Sequence, residues 1–210
     1  MVDARALRQL LCVLPLLGIT LLGGCGPREK NLFNGEDLSG WKKVGGDATF
    51  RVDEGCIVGE HGPGPNTFLR TRSIYRDFEL ELDFRWDEPG NSGIQFRSSQ
   101  RANDGVVVGY QCELDPSDRS WTCGIYHEGS RGWLAPLDQS PSAQSARRLD
   151  DWNHVRIRAN GPHIQTWLNG TPCADLIDAN GEERGFIALQ VHSGGQGIIR
   201  WKNIRLRKLP

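Results

Sequence analysis

The sequence predicts an all-β protein, a sandwich or jelly roll of two antiparallel sheets. Three observations carry that prediction. The 210 residues include 26 Gly, 11 Pro and seven Trp but one Met, a turn-rich profile that helical bundles rarely show. Several runs alternate polar and apolar residues, the period of a strand buried on one face. Clusters of turn residues separate these runs at intervals of about ten residues, and neither an amphipathic helix nor an internal repeat interrupts them. A chain of this length is enough for one domain with a sizeable core.

Taken in order, Glu79-Leu80-Glu81-Leu82-Asp83-Phe84-Arg85-Trp86 alternates throughout and stops at the turn cluster Asp87 to Asn91. Gly93 to Arg97 follows, with Ile94 and Phe96 on one face and Gln95 and Arg97 on the other. Val106 to Asp115 places Tyr110, Cys112 and Leu114 opposite Gln111, Glu113 and Asp115, and Pro116 ends it. Residues 128–150 form a polar loop, long enough to be functional or mobile. Trp152 to Ala159 alternates again, and Asn160-Gly161-Pro162 breaks it before His163 to Leu168. Asn169-Gly170 is a hairpin signal, since both residues accept positive φ. Gly185 to His192 and Ile198 to Leu209 complete the set, joined by a Gly-rich loop.

The N-terminus reads as an export signal. Arg5 and Arg8 precede the apolar run Leu10 to Leu22, which is short for a membrane span and contains Pro15. Leu22-Gly23-Gly24-Cys25 resembles a bacterial lipobox, implying cleavage of residues 1–24, lipid on Cys25, a tether over 25–30 and a domain over 31–210. The expected location is therefore the cell envelope, with membrane attachment through Cys25. Removing Arg5, Arg8 and Asp3 leaves 23 basic and 25 acidic side chains. That balance argues against nucleic acid as a partner. Cys56, Cys112, Cys123 and Cys173 remain, and in an oxidising compartment the favoured bridge is Cys112 to Cys123, if their segments lie side by side. Their spacing and the scattered histidines do not resemble a zinc site.

The candidate chemistry starts on the third strand, where Gln111, Glu113 and Asp115 share a face that is either simply wet or the lining of a sugar cleft. Residues two apart place their Cα atoms about 6.5–7 Å apart, a spacing that admits the carboxyl separations of glycosidases. Just beyond it, Tyr126, Glu128, Arg131 and Trp133 supply an aromatic platform and hydrogen-bonding groups suited to sugar C–H faces and hydroxyls. Trp121 fits core or platform equally, whereas Trp86, Trp167 and Trp201 read as core. Gln190 and His192 share one face of a later strand.

Several segments together resemble the bacterial 3-keto-disaccharide hydrolase domain family: Asn31 to Trp41, Phe50 to Gly59, Asn91-Ser92-Gly93-Ile94-Gln95-Phe96-Arg97, Gly109-Tyr110-Gln111, Asp151-Trp152-Asn153-His154 and Ile187 to His192. The resemblance runs in order over residues 31–209. It implies a concanavalin-like jelly roll, frequent export with lipidation, and cleavage of glycosides oxidised to a ketone at C3. It carries Arg97, Tyr110, Gln111, Glu113, Asp115, Gln190 and His192 onto the family's polar positions. Two positions depart from it: Cys123 stands where glycine is usual, and His127 where an acidic group is.

A C3 ketone acidifies the C2 proton, so such a glycoside can break by elimination followed by addition of water. The expected site uses Glu113 or His192 as base or acid, with Arg97 or a divalent cation stabilising the enolate. Gln111, Asp115 and Gln190 would orient hydroxyls or ligate that cation. Two rivals remain, a glycoside hydrolase using paired carboxylates on unoxidised sugars and a carbohydrate-binding module without catalysis.

Overall fold

The computed structural model describes residues 29–210, so the lipobox at Cys25 lies outside the described residues. In chain order the strands are β1 (Glu29–Asn31), β2 (Trp41–Gly45), β3 (Thr49–Asp53), β4 (Cys56–Glu60), β5 (Thr67–Thr71), β6 (Phe78–Glu88), β7 (Ser92–Gln100) and β8 (Val107–Leu114). There follow β9 (Ile125–Glu128), β10 (Gly132–Ala135), the short helix α1 (Pro141–Ser145), β11 (Asn153–Asn160), β12 (His163–Leu168), β13 (Thr171–Ile177), β14 (Phe186–Val191) and β15 (Ile198–Lys208). The segment expected to be one polar loop thus carries β10 and α1. Strand pairing also starts at Glu29, opposite Arg207, inside the segment read as tether.

All pairings are antiparallel and make two sheets. One runs β13-β12-β11-β6-β15-β4-β3, with β1 on β15; the other runs β10-β9-β8-β7-β14-β5-β2. Alternation explains how they pack. In the first sheet Leu82 lies opposite Val155 and Leu80 opposite Ile157, all fully buried. Their neighbours Glu81 and Glu79 lie opposite Arg156 and Arg158 on the outside, where Arg205 and Arg207 also reach them. Cross-strand charge pairs of this kind suit a solvated face. The second sheet meets that core with Ile94, Phe96, Tyr110, Cys112, Ile187 and Leu189.

Each large side chain drawn into this interface contributes about 1.5–3 kcal/mol. Phe84 meets Trp86 edge to face at 4.8 Å, and truncating such a ring typically costs about 3–5 kcal/mol. The Asn169-Gly170 turn joins β12 to β13 with φ of 51° and 84°, as the hairpin signal required. Trp86 and Trp201 are core, as expected; Trp167 is not, and lies half-buried beneath the Arg156 guanidinium at 3.8 Å. Cys112 and Cys123 lie on adjacent segments, but all four cysteines of the described residues are free thiols. Cys123 takes a φ of 70°, a conformation that favours the glycine the resemblance implies at this position.

Candidate active site

The outer face of the seven-stranded sheet differs from that of its partner: around β7, β8 and β14 it carries polar side chains that are nonetheless buried. Register gives two rows across it. One reads Val44, Phe68, Gln190, Gly93, Glu113 from β2 to β8. The next reads Arg70, Ala188, Gln95, Gln111, Tyr126, Trp133 from β5 to β10. Gln95 and Gln190 are 0% exposed, Gln111 2% and Glu113 5%, so this face is not the wet side of a strand.

A chain of hydrogen bonds orders these groups. Ser98 Oγ donates to Gln95 Oε1 (2.8 Å), Gln95 Nε2 to Gln111 Oε1 (2.6 Å), and Gln111 Nε2 to Glu113 Oε2 (2.7 Å). Asn91 Nδ2 completes it by donating to Glu113 Oε1 at 2.6 Å. The segment Asn91-Ser92-Gly93 thereby acquires a physical reading. Asn91 holds the carboxylate, Ser92 Oγ ties β7 to the Gln190 carbonyl of β14 (2.6 Å), and Gly93 leaves the space that Gln111 fills. Burial pushes the Glu113 carboxyl above its ordinary range, outweighing the amide hydrogen bonds that pull it down.

A cavity of about 670 Å³ opens over this floor, lined by Gln111, Glu113, Asp115, Tyr126, Glu128, Trp133 and His192 among the expected residues. Asn66, Asn91, Ser117 and Arg119 line it as well and were not singled out in the sequence. Glu128 accepts from Asn66 Nδ2 (3.1 Å) and Gln190 Nε2 (3.3 Å), and burial raises its pKa too. Gln190 does not line the cavity itself: it is fully buried in the floor beside Glu128, and its Oε1 has no hydrogen-bond partner among the described residues. His192 is exposed, and its Nδ1 lies 2.7 Å from the Ser193 carbonyl. Donation of Nδ1–H there leaves Nε2 as the exchanging nitrogen.

Asp115 is spent on local structure. It accepts from Ser117 N (3.0 Å) and Oγ (2.6 Å), Arg119 Nε (2.8 Å) and Trp121 N (3.3 Å). Burial opposes its charge, but these donors prevail and hold its pKa below the usual range. The loop so folded presents Arg119 over Trp121 (4.8 Å) and Trp133 (5.0 Å), with Nη2 3.7 Å from Glu113. Trp121 meets Trp133 edge to face at 4.8 Å, and Tyr126 meets Trp133 at 5.3 Å. One pocket wall is therefore aromatic, capped by a guanidinium.

Besides Gln190, two expected residues lie outside the pocket. Arg97 sits at a register irregularity of β7 with φ of 46°, so it does not share the direction of Gln95. It is 2% exposed and donates to Arg76 O (2.7 Å), Gly161 O (2.7 Å) and Asp77 Oδ1 (2.9 Å). Arg131 pairs with Asp178 at 2.7 Å and lies over the Tyr110 ring. That makes it a neighbour of His127, which faces the core side, edge-on to Tyr110, with Nε2 2.9 Å from Glu182. The departure at His127 therefore does not touch the pocket.

The pocket's donor set does not fit a divalent cation. Glu113, Asp115 and Glu128 already accept N–H groups at their oxygens, and among the described residues no three His, Cys, Asp or Glu side chains are grouped to hold a metal.

Comparisons with known proteins agree with this architecture. A 3-keto-disaccharide hydrolase of Bacteroides thetaiotaomicron is 23% identical over 146 residues, 60% of this chain and 50% of that protein, so the match spans about half of that relative. Among solved structures, a Parabacteroides distasonis protein provisionally termed a glycosyl hydrolase superposes with a TM-score of 0.63 at 17% identity, covering 87% of this chain and 94% of that one. The carbohydrate-binding module CBM66 of Bacillus subtilis gives a TM-score of 0.59 at 17% identity, over 80% and 96% of the two chains. The model of the 3-keto-alpha-glucoside-1,2-lyase-like domain matches residues 28–207, and the chain belongs to that family.

Proposed function

We infer that the pocket cleaves the glycosidic bond of 3-keto-glycosides by elimination and rehydration. The observation that carries this reading is the convergence of a buried, oriented carboxylate (Glu113), an imidazole (His192) and a guanidinium (Arg119) over one polar floor. Membership of a carbohydrate-active hydrolase and lyase family supports it.

Glu113 takes the C2 proton, and the electron pair of that C–H bond passes to the C3 oxygen as an enolate. Arg119 faces this negative charge in the position expected of Arg97. The enolate collapses to a C1–C2 double bond, the C1–O bond breaks, and the departing oxygen receives a proton from His192. Water then adds at C1, giving one proton to His192 and keeping the other in the new hydroxyl, while the Glu113 acid returns to C2 the proton it took in the first step. Both groups end as they began, and the sum is hydrolysis. A base whose pKa is raised by burial is a stronger base once ionised, which suits it to a carbon acid. The aromatic wall of Trp133 and Tyr126, with Trp121 packed edge-on against Trp133, supplies a face for the sugar ring.

Exchange of H2 tests the first step. A 3-keto-glucose incubated in D2O should lose its H2 NMR signal with the wild-type domain and keep it with Glu113→Gln. Equal exchange by both would refute the assignment. The lipid on Cys25 is part of the same proposal, an envelope-tethered enzyme. Labelling with a palmitate analogue, abolished by Cys25→Ser, tests it.

A further inference from the structure

The outer face of the seven-stranded sheet has an apolar half that the proposed chemistry does not use. Val44, Phe68, Val107, Phe186 and Ala188 form a hydrophobic cluster separate from the main core. Their places in the strands alternate with core residues such as Leu69, Ile187 and Leu189, so they face away from the inter-sheet core. A solvated outer face would carry polar side chains, as the partner sheet does.

A second cavity of about 510 Å³ lies on this apolar half, with a wall of Pro65, Phe68, Val106 and Val107 and polar groups from Gln100 and Ser193. Val106 is 36% exposed, one of few large hydrophobic residues so placed among the described residues. No Lys or Arg lines this cavity, and Asp104 at its edge is paired with Arg101 at 2.9 Å. It shares Asn66, Glu128 and His192 with the polar pocket, so the two cavities meet at the residue assigned to protonate the departing oxygen.

We propose that this second cavity is the leaving-group subsite of the same active site and selects glycosides whose aglycone is uncharged and apolar. The proposal rests on the reading of the polar pocket as the catalytic one. A bond broken at His192 would leave the sugar over Glu113 and place the aglycone against Phe68 and Val106. A second sugar would set its hydroxyls against the apolar wall of Pro65, Phe68, Val106 and Val107.

Hexyl and methyl 3-keto-glucosides test this, because both release simple alcohols of similar leaving ability. Removing a methylene from water is worth roughly a fourfold change in affinity. The wild-type domain should favour the hexyl substrate by at least about tenfold in kcat/KM, and Val106→Asp should bring that ratio close to one. Equal kcat/KM for the two substrates in the wild type, or an unchanged ratio in the variant, overturns the proposal. Amide shift mapping with unoxidised hexyl and methyl glucoside separates the two layers. If neither keto-glucoside is cleaved but hexyl glucoside alone shifts Val106 and Val107, the catalytic reading fails and the apolar subsite stands. With neither cleavage nor shifts, both fall.

Discussion

Asn91 Nδ2 donates to Glu113 Oε1 at 2.6 Å while Gln111 Nε2 donates to Glu113 Oε2 at 2.7 Å, so one buried carboxylate is clamped from both sides. The clamp sets orientation as well as charge. Glu113→Gln keeps the shape but places an amide N–H against one of these donors. Release of aglycone from a 3-keto-glucoside should fall by about 10²–10⁴-fold, the usual worth of a positioned acid or base. Circular dichroism should show the β fold retained.

The pH dependence follows from the direction of the Glu113 shift. Its folded-state pKa is raised by burial above the ordinary 4.5, and only the ionised form accepts the C2 proton. The rate kcat/KM should therefore decline as pH falls through that raised pKa, well before ordinary carboxylates titrate. Stability moves the other way. Between the unfolded and the raised folded pKa the native state binds more protons, so this contribution is fully present below 4.5 and is lost as pH rises. Thermal melts should show Glu113→Gln gaining on the wild type as pH rises above 4.5.

His192 is assigned to the departing oxygen, so its importance should depend on the leaving group. His192→Gln should slow release of methanol from the methyl 3-keto-glucoside by about 10²-fold or more. Release of 4-nitrophenol, which needs no proton to depart, should change far less. Equal losses on both substrates would remove the acid role.

Trp133 lies edge to face with Tyr126 and beneath the Arg119 guanidinium in the aromatic wall assigned to the sugar ring. Trp133→Ala should raise KM by roughly tenfold, in line with the loss of aromatic contacts worth about 0.5–1.5 kcal/mol each. Steady-state kinetics should show kcat changed far less than KM.

Arg97 carries a different expectation. Its guanidinium is buried and spans Asp77, Arg76 and Gly161, so Arg97→Met removes three hydrogen bonds and leaves Asp77 with only the Gly161 N–H and Arg76. Each of these hydrogen bonds from a charged group is worth about 1.5–3 kcal/mol. The melting temperature should drop by roughly 10 °C, with little loss of kcat per folded molecule.

These contrasts show what alternation does and does not reveal. Period two correctly placed Leu80, Leu82 and Phe84 in the core and put Gln111 and Glu113 on the opposite face, because β6 and β8 run regularly through those residues. The same rule paired Arg97 with Gln95, but the register of β7 shifts after Phe96 and Arg97 takes a left-handed φ. Arg119 lies in a loop whose shape comes from Asp115 capping its backbone, a tertiary arrangement without a period to read. Asn66 reaches the pocket only because β5 is seated between β2 and β14, an order that short-range pattern does not contain.

The most direct test of the central claim incubates residues 29–210 with methyl 3-keto-glucoside and with its unoxidised parent, following release of methanol. Release from the keto substrate alone, lost in Glu113→Gln, is the predicted result. Release from the parent at a comparable rate, or binding of both sugars with release from neither, would contradict it.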